Sequence, residues 1–256
     1  MRTGLVCMVV LALSGGLAWA DAAQDVNVPY LAPDAAVTVD GDLSEWADAA
    51  WVALDTAYAG TAADITSGKY AVRWSDAANL LYVACEVVDV QQHRADGYLA
   101  WNGQDDIEVY VDAANNDMAY SSALDDYAQQ IVFGVGPTDV AWSDSSDANL
   151  VPAFAVVGLG DAYVYEMAIA PYGYYAGNGG TALPQATVDL AMGQNIGLDV
   201  VAGTLMDDGT FAMLANNAVG AKFRLSDAMQ TWTLVPEPAS LSLLALGGIA
   251  LLRRRR

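Results

Sequence analysis

Trp101 and Glu108 stand seven residues apart in the block WNGQDDIEVYVD. An aromatic ring stacks on the C–H face of a polyhydroxylated ring, and a carboxylate accepts hydrogen bonds from its hydroxyls, so the two residue types together suit such a ligand. The plainer reading makes Trp101 a loop hinge and Glu108 the cap of a strand's outer face. Asp105, Asp106, Glu108 and Glu166 also offer the two carboxylates that glycoside hydrolysis needs roughly 5 to 9.5 Å apart. Nothing in the sequence sets that distance, and paired acids arise by chance among 26 aspartates. A serine or cysteine hydrolase would have to use His93, the single histidine, but His93 lies in the polar segment Gln91-Gln92-His93-Arg94 with no serine motif around it. The reading is therefore non-catalytic. Asp40 with Asp42, Asp112 with Asn115, Asn116 and Asp117, Asp144 with Asp147 and Asn149, and Asp207 with Asp208 supply hard oxygen ligands for calcium from loops. None fits the twelve-residue EF-hand pattern, and solvated aspartates in turns are the alternative.

Charge narrows the partners. The 256 residues hold 31 acids and 10 Lys or Arg, and the stretch from Asp21 to Leu234 has a formal charge of −25. So acidic a surface repels phosphate backbones and anionic leaflets, which excludes nucleic acid as a partner. With Cys7 in the leader, Cys85 is the one thiol left, too few for an intrachain disulfide or a four-ligand Cys/His zinc site.

Both ends carry signals. Arg2, the apolar run Leu5 to Leu13 and Ala18-Trp19-Ala20 form a secretory signal peptide over residues 1–20, with cleavage expected after Ala20. At the other end, Val235-Pro236-Glu237-Pro238 precedes an uncharged run from Ala239 to Leu252 and then Arg253 to Arg256. As a helix that run spans about 21 Å, short of the roughly 30 Å hydrocarbon core, yet flanking residues can seat it in a bilayer. The arginines should stay cytoplasmic, which places the preceding domain outside the inner membrane.

Residues 21–234 read as one domain of strands that position these groups. Leu81, Val83, Cys85 and Val87 alternate with polar or small residues, as do Ile107, Val109 and Val111 with Asp106, Glu108, Tyr110 and Asp112, each predicting a strand with one buried face. Further strands are expected at Val37 to Val39, Trp51 to Ala57, Lys69 to Ser75, Gln129 to Val135, Ala153 to Val157, Tyr163 to Ala170, Ile196 to Gly203 and Lys222 to Leu225. Only Leu43 to Ala50, capped by Asp42 or Ser44, looks helical. The pattern predicts an all-β, antiparallel β-sandwich, with Trp46, Trp51 and Trp74 as core or end-cap aromatics.

AVTVDGDLSEWADAAWVAL, KYAVRWSDAANLLYVACEVVD, WNGQDDIEVYVDAANND, YVYEMAIAP and NIGLDVVAGTLMDDG resemble, in order, the family 9 carbohydrate-binding modules, jelly-roll-like sandwiches of DOMON type usually appended to secreted polysaccharide enzymes. The resemblance covers most of residues 35–226, its most specific pieces being the opening from Asp40 to Trp51 and the Trp101 to Glu108 block. It implies that Trp101 is one wall of an aromatic sandwich around a terminal sugar, that Glu108 binds hydroxyls, and that calcium is structural. The chain departs from the pattern twice. Where the family has an arginine and an asparagine this strand reads Gln130-Ile131-Val132-Phe133-Gly134, leaving Gln130 as the polar candidate. Where the family has a second stacking tryptophan the chain reads Phe211 to Asn217, leaving Trp142 or Tyr98 to supply the ring.

The tail, VPEPASLSLLALGGIALLRRRR over residues 235–256, resembles the PEP-CTERM sorting signal of Gram-negative bacteria. That resemblance implies recognition by an exosortase at Pro236, Glu237, Pro238 and the cluster from Arg253, transient anchoring by the hydrophobic helix, and delivery to the cell envelope or extracellular matrix. The expectation is a secreted sandwich that binds polysaccharide or oligosaccharide, with an adhesive matrix protein carrying a degenerate sugar site as the alternative.

Overall fold

The computed structural model describes residues 22–29, 37–94, 102–116, 127–134, 149–175 and 186–236. The signal peptide, the apolar tail with Glu237, Pro238 and Arg253, and Tyr98, Trp101, Asp117, Trp142, Asp144 and Asp147 lie outside the described residues. Among those described, no helix is long and apolar enough to cross a membrane.

In chain order the strands are β1 (Ala22–Pro29), β2 (Val52–Ala53), β3 (Thr56–Ala59), β4 (Ile65–Ser75), β5 (Leu80–Asp89), β6 (Asp106–Asp112) and β7 (Gln129–Gly134). They continue as β8 (Ala153–Leu159), β9 (Ala162–Ile169), β10 (Tyr172–Tyr174), β11 (Ala186–Thr187), β12 (Asn195–Leu205), β13 (Phe211–Ala215) and β14 (Gln230–Val235). One sheet runs β2-β4-β5-β9-β8. In the other, of seven strands, β12 is the axis. It pairs with β6 along one edge, and with β14 and then β13 along the other, while β7, β1 and β3 extend the sheet outward. Pairing is antiparallel except for β1 on β14, which is parallel. β10 and β11 form a separate pair.

Alternation explains the core. Tyr70, Val72, Trp74, Leu81, Val83, Cys85, Val87, Tyr165 and Met167 of the five-stranded sheet meet Ile107, Val109, Val111, Ile131, Phe133, Leu198, Val200 and Trp232 of the seven-stranded one in a single cluster. Rings join the layers: Tyr70 lies 5.7 Å from Trp232 and Phe133 5.4 Å from Phe154. The sandwich is all-β with almost no helix, as expected.

The five-stranded sheet is also covered outside. Trp46 packs on Ala71 and Ala84, and its indole N–H donates to Glu166 at 2.6 Å. The same carboxylate accepts from the Asp40 and Gly41 amides at 3.0 and 2.8 Å. Gly41 has φ +84°, and a Cβ there would overlap Val157, so the turn requires glycine. The Asp-Gly opening is thus a clasp that pins Trp46 over the sheet.

Several strand expectations are corrected. Val37 to Val39 forms no strand, and Trp51 to Ala57 breaks into β2 and β3, which belong to different sheets. Lys222 to Arg224 is a turn that follows Ala221 at φ +67°, and Leu225 makes only an isolated bridge. The helix expected over Leu43 to Ala50 is a single 3-10 turn, Leu43–Trp46, capped by Asp42. β1, β10, β11, β13 and β14 were not anticipated.

Candidate functional site

The polar side of β6 was expected to face water. Instead all seven residues of β6 and all six of β7 are buried, and the outer face of the seven-stranded sheet carries an apolar cluster of its own, Tyr110, Ala128, Val201, Met213, Ala215 and Met229 with Tyr58 and Phe211. Alternation shows that two faces of a strand differ; it does not show that the polar one is wet.

Register then places polar groups side by side in this buried layer. Tyr110 of β6 is flanked by Gln130 of β7 and Asp199 of β12. Glu108, 1 % exposed, accepts from the Tyr110 hydroxyl and from Gln130 Nε2 at 2.9 Å, and Gln130 Nε2 also lies 3.2 Å from the Tyr110 oxygen. The structure therefore brings together two of the residues singled out in the sequence, Glu108 and Gln130.

Beside them is an ion pair that the sequence did not disclose. Lys222 Nζ sits 2.6 Å from Asp199 Oδ2 with both side chains fully buried. Asn217 closes the group, accepting from Lys222 at 2.5 Å and donating to Asp199 at 3.1 Å. Lys222 also lies 5.4 Å from the centre of the Tyr58 ring. Burial pushes both partners toward neutrality, the Asp199 carboxyl upward and the Lys222 amine downward. The available signal was scarcity: Lys222 is one of five cations between Asp21 and Leu234.

Of the acids considered for hydrolysis, Asp106 and Glu108 share the outer face of the seven-stranded sheet, two residues apart on β6, whereas Glu166 and Asp105 are placed elsewhere. Glu166 belongs to the outer face of the five-stranded sheet, where it holds Trp46, and Glu108 to the outer face of the other sheet, so the whole core separates them. Asp105 is tied into the scaffold by the His93 amide at 2.6 Å, the Leu205 amide at 2.9 Å and the Tyr163 hydroxyl at 3.3 Å. His93 itself faces Asp207 at 3.3 Å.

Of the calcium candidates, Asp40 accepts from the Asp42 amide and Asp42 from the Ser44 amide, at 2.9 and 3.0 Å. Asp112, at the far end of β6, accepts from the Asn116 amide at 3.1 Å. Among the described residues no group of three or more His, Cys, Asp or Glu side chains is placed to hold a metal ion.

Burial raises the Glu108 carboxyl to about 7, with the Tyr110 and Gln130 hydrogen bonds opposing the rise, and Asp105 to about 6. The folded state thus binds these protons more tightly than the unfolded chain, where the values are near 4.3 and 3.9. Their stabilisation is complete below the unfolded values and is lost as pH climbs through about 6 to 7. Thermal melts at fixed ionic strength should show a higher melting temperature at pH 5 than at pH 8, and Glu108→Gln should reduce that difference. A melting temperature that falls on acidification contradicts the assignment.

Residues 39–229 match the family described as "Carbohydrate family 9 binding domain-like", and residues 234–256 match the PEP-CTERM protein-sorting motif. A solved family 9 carbohydrate-binding module from Caldicellulosiruptor kristjanssonii, in complex with cellotriose, superposes with a TM-score of 0.62 at 18 % identity, covering 84 % of this chain and 95 % of its own. The same organism's module in complex with glucose gives the same score and identity, with 97 % of its chain covered. No curated protein matches the sequence. The sandwich, its clasped Asp-Gly opening and a match over three quarters of the chain lead to one assignment: this protein belongs to the family 9 carbohydrate-binding domain-like family.

Proposed function

We propose that the protein binds a neutral oligosaccharide, without catalysis, through the outer face of its seven-stranded sheet around Glu108, Tyr110 and Gln130. The observation that carries this reading is a carboxylate, a phenol and an amide packed within hydrogen-bond reach on a sheet face that a plain sandwich would leave to apolar side chains or water. Family membership and the sugars present in the two neighbouring structures support it. Trp101 enters the reading as the stacking wall, with Tyr98 and Trp142 as candidates for the second. Glu108 is closed off in the free protein, so a sugar reaches it only after the side chains above it move, and association should run below the diffusional range.

The PEP-CTERM match extends the reading to delivery. β14, held between β1 and β12, ends at Val235, where the sorting segment begins. In this reading an exosortase recognises Pro236-Glu237-Pro238, the helix ending in the Arg253 cluster anchors the chain transiently in the inner membrane, and the product stays in the envelope or matrix.

A glycan array probed with the full-length protein tests the proposal. It should be run in calcium and in chelator, because Asp40, Asp42, Asp112 and Asp117 offer hard oxygen ligands. Retention of neutral oligosaccharides over uronic-acid glycans is expected. Silence across the array in both conditions would instead favour the second reading, an adhesive matrix protein with a closed sugar site, which rests on the 1 % exposure of Glu108.

A further inference from the structure

The sheet row next to Glu108 is built differently from its neighbours. Gly134 of β7, Asp106 of β6 and Gly203 of β12 stand in register, so Asp106 has no side chain on either flank. Two groups from outside the row use that space. The Gln104 amide lies where a Cβ of Gly134 would be, and the half-buried Phe211 ring reaches the corresponding point over Gly203, beside the Asp106 carboxylate.

The polar atoms here are unsatisfied. Neither oxygen of Asp106 and neither polar atom of Gln104 makes a hydrogen bond, although the residues are 3 % and 1 % exposed, and Gln130 Oε1, two rows along, is buried and unpartnered as well. Five such atoms on one face are more than a fold tolerates without a reason. Their chemistry describes what is missing: four oxygen atoms able to accept, one amide nitrogen, and an aromatic ring alongside. A ligand rich in hydroxyl donors with an apolar face answers all three, whereas an anionic ligand would meet Asp106 and Glu108.

We infer that Asp106, Gln104 and Phe211 form a second subsite, one row along β6 from Glu108, that takes the next unit of a neutral oligosaccharide. The inference rests on the sugar-binding reading of Glu108. Two residues along a strand place the carboxylates roughly 6.8 Å apart, too far for one pair of adjacent hydroxyls and suited to consecutive units. Gln104 has no hydrogen bond to lose, so swinging it away from Gly134 opens the subsite at little cost.

Titration calorimetry of the full-length protein with cellotriose and with glucose tests this. The wild type should prefer cellotriose. Asp106→Val should erase that preference, weakening cellotriose by roughly ten- to a hundredfold, as loss of a hydrogen-bond partner at a buried site does. Glucose affinity should hold, and the variant should melt no lower than wild type, since an apolar side chain of similar size replaces unsatisfied acceptors. Gln104→Ala should weaken cellotriose selectively as well, which keeps the test decisive if Asp106→Val does not fold. Unchanged cellotriose affinity in a folded variant overturns the second subsite and leaves the Glu108 subsite standing. A wild type that binds neither sugar overturns the Glu108 reading itself.

Discussion

Lys222→Met should be among the most destabilising single substitutions in the molecule, lowering stability by about 3 to 5 kcal/mol. The reason is what stays behind. Asp199 would keep only the Asn217 amide at 3.1 Å and the Val200 N–H at 3.0 Å, in a site with no exposure. At about 2 to 4 °C per kcal/mol for a domain of this size, the melting temperature should fall by roughly 10 °C. Asp199 can escape the penalty by taking a proton, so the loss should shrink as pH is lowered. The double variant Asp199→Leu with Lys222→Met should recover much of the stability, because an apolar pair replaces a desolvated one. Thermal melts of the two variants at pH 5 and pH 8 check both claims; a single variant as stable as wild type would mean that the pair is solvated.

The second large effect is on binding. Glu108→Gln preserves shape and leaves an amide oxygen to accept from Tyr110 or Gln130, so the fold should survive. It removes the charge that strengthens hydrogen bonds to hydroxyls, and sugar affinity should drop by roughly ten- to a hundredfold, about 1.5 to 3 kcal/mol. Wild-type affinity should also weaken as pH falls below about 7, where Glu108 takes up its proton, while the variant should show no such step. Titrations at pH 6 and pH 8 read both effects together, and equal affinities for the two proteins would remove Glu108 from the site.

How much of this could be read from the sequence depended on whether the signal was local. β5 and β6 were legible because Leu81 to Val87 and Ile107 to Val111 alternate without interruption. β13, Phe-Ala-Met-Leu-Ala, has no polar residue to mark a face and so gave no period. β14, Gln230–Val235, alternates over only six residues at the end of the domain and drew no strand assignment. The Trp51 to Ala57 run looked continuous, but Leu54 turns into the core and the chain crosses between sheets there. At the site, Glu108 and Gln130 were recognisable by type and by resemblance. Tyr110 stood on the same face in the alternation, yet Asp199, Lys222 and Asn217 reach it through pairing of β12 with β6 and through the turn after β13, which local pattern does not encode. Asp106 was visible only as one acid among many, because its isolation comes from glycines on two other strands.

The central claim is that a sugar sits on the outer face of the seven-stranded sheet, and a crystal structure of the full-length protein with cellotriose tests it most directly. The account predicts sugar hydroxyls within hydrogen-bond distance of Glu108 and Gln130, with the chain of units continuing along β6 toward Asp106. Cellotriose bound elsewhere, such as on the Trp51 and Tyr82 side of the five-stranded sheet, with the Glu108 network unchanged, would contradict it.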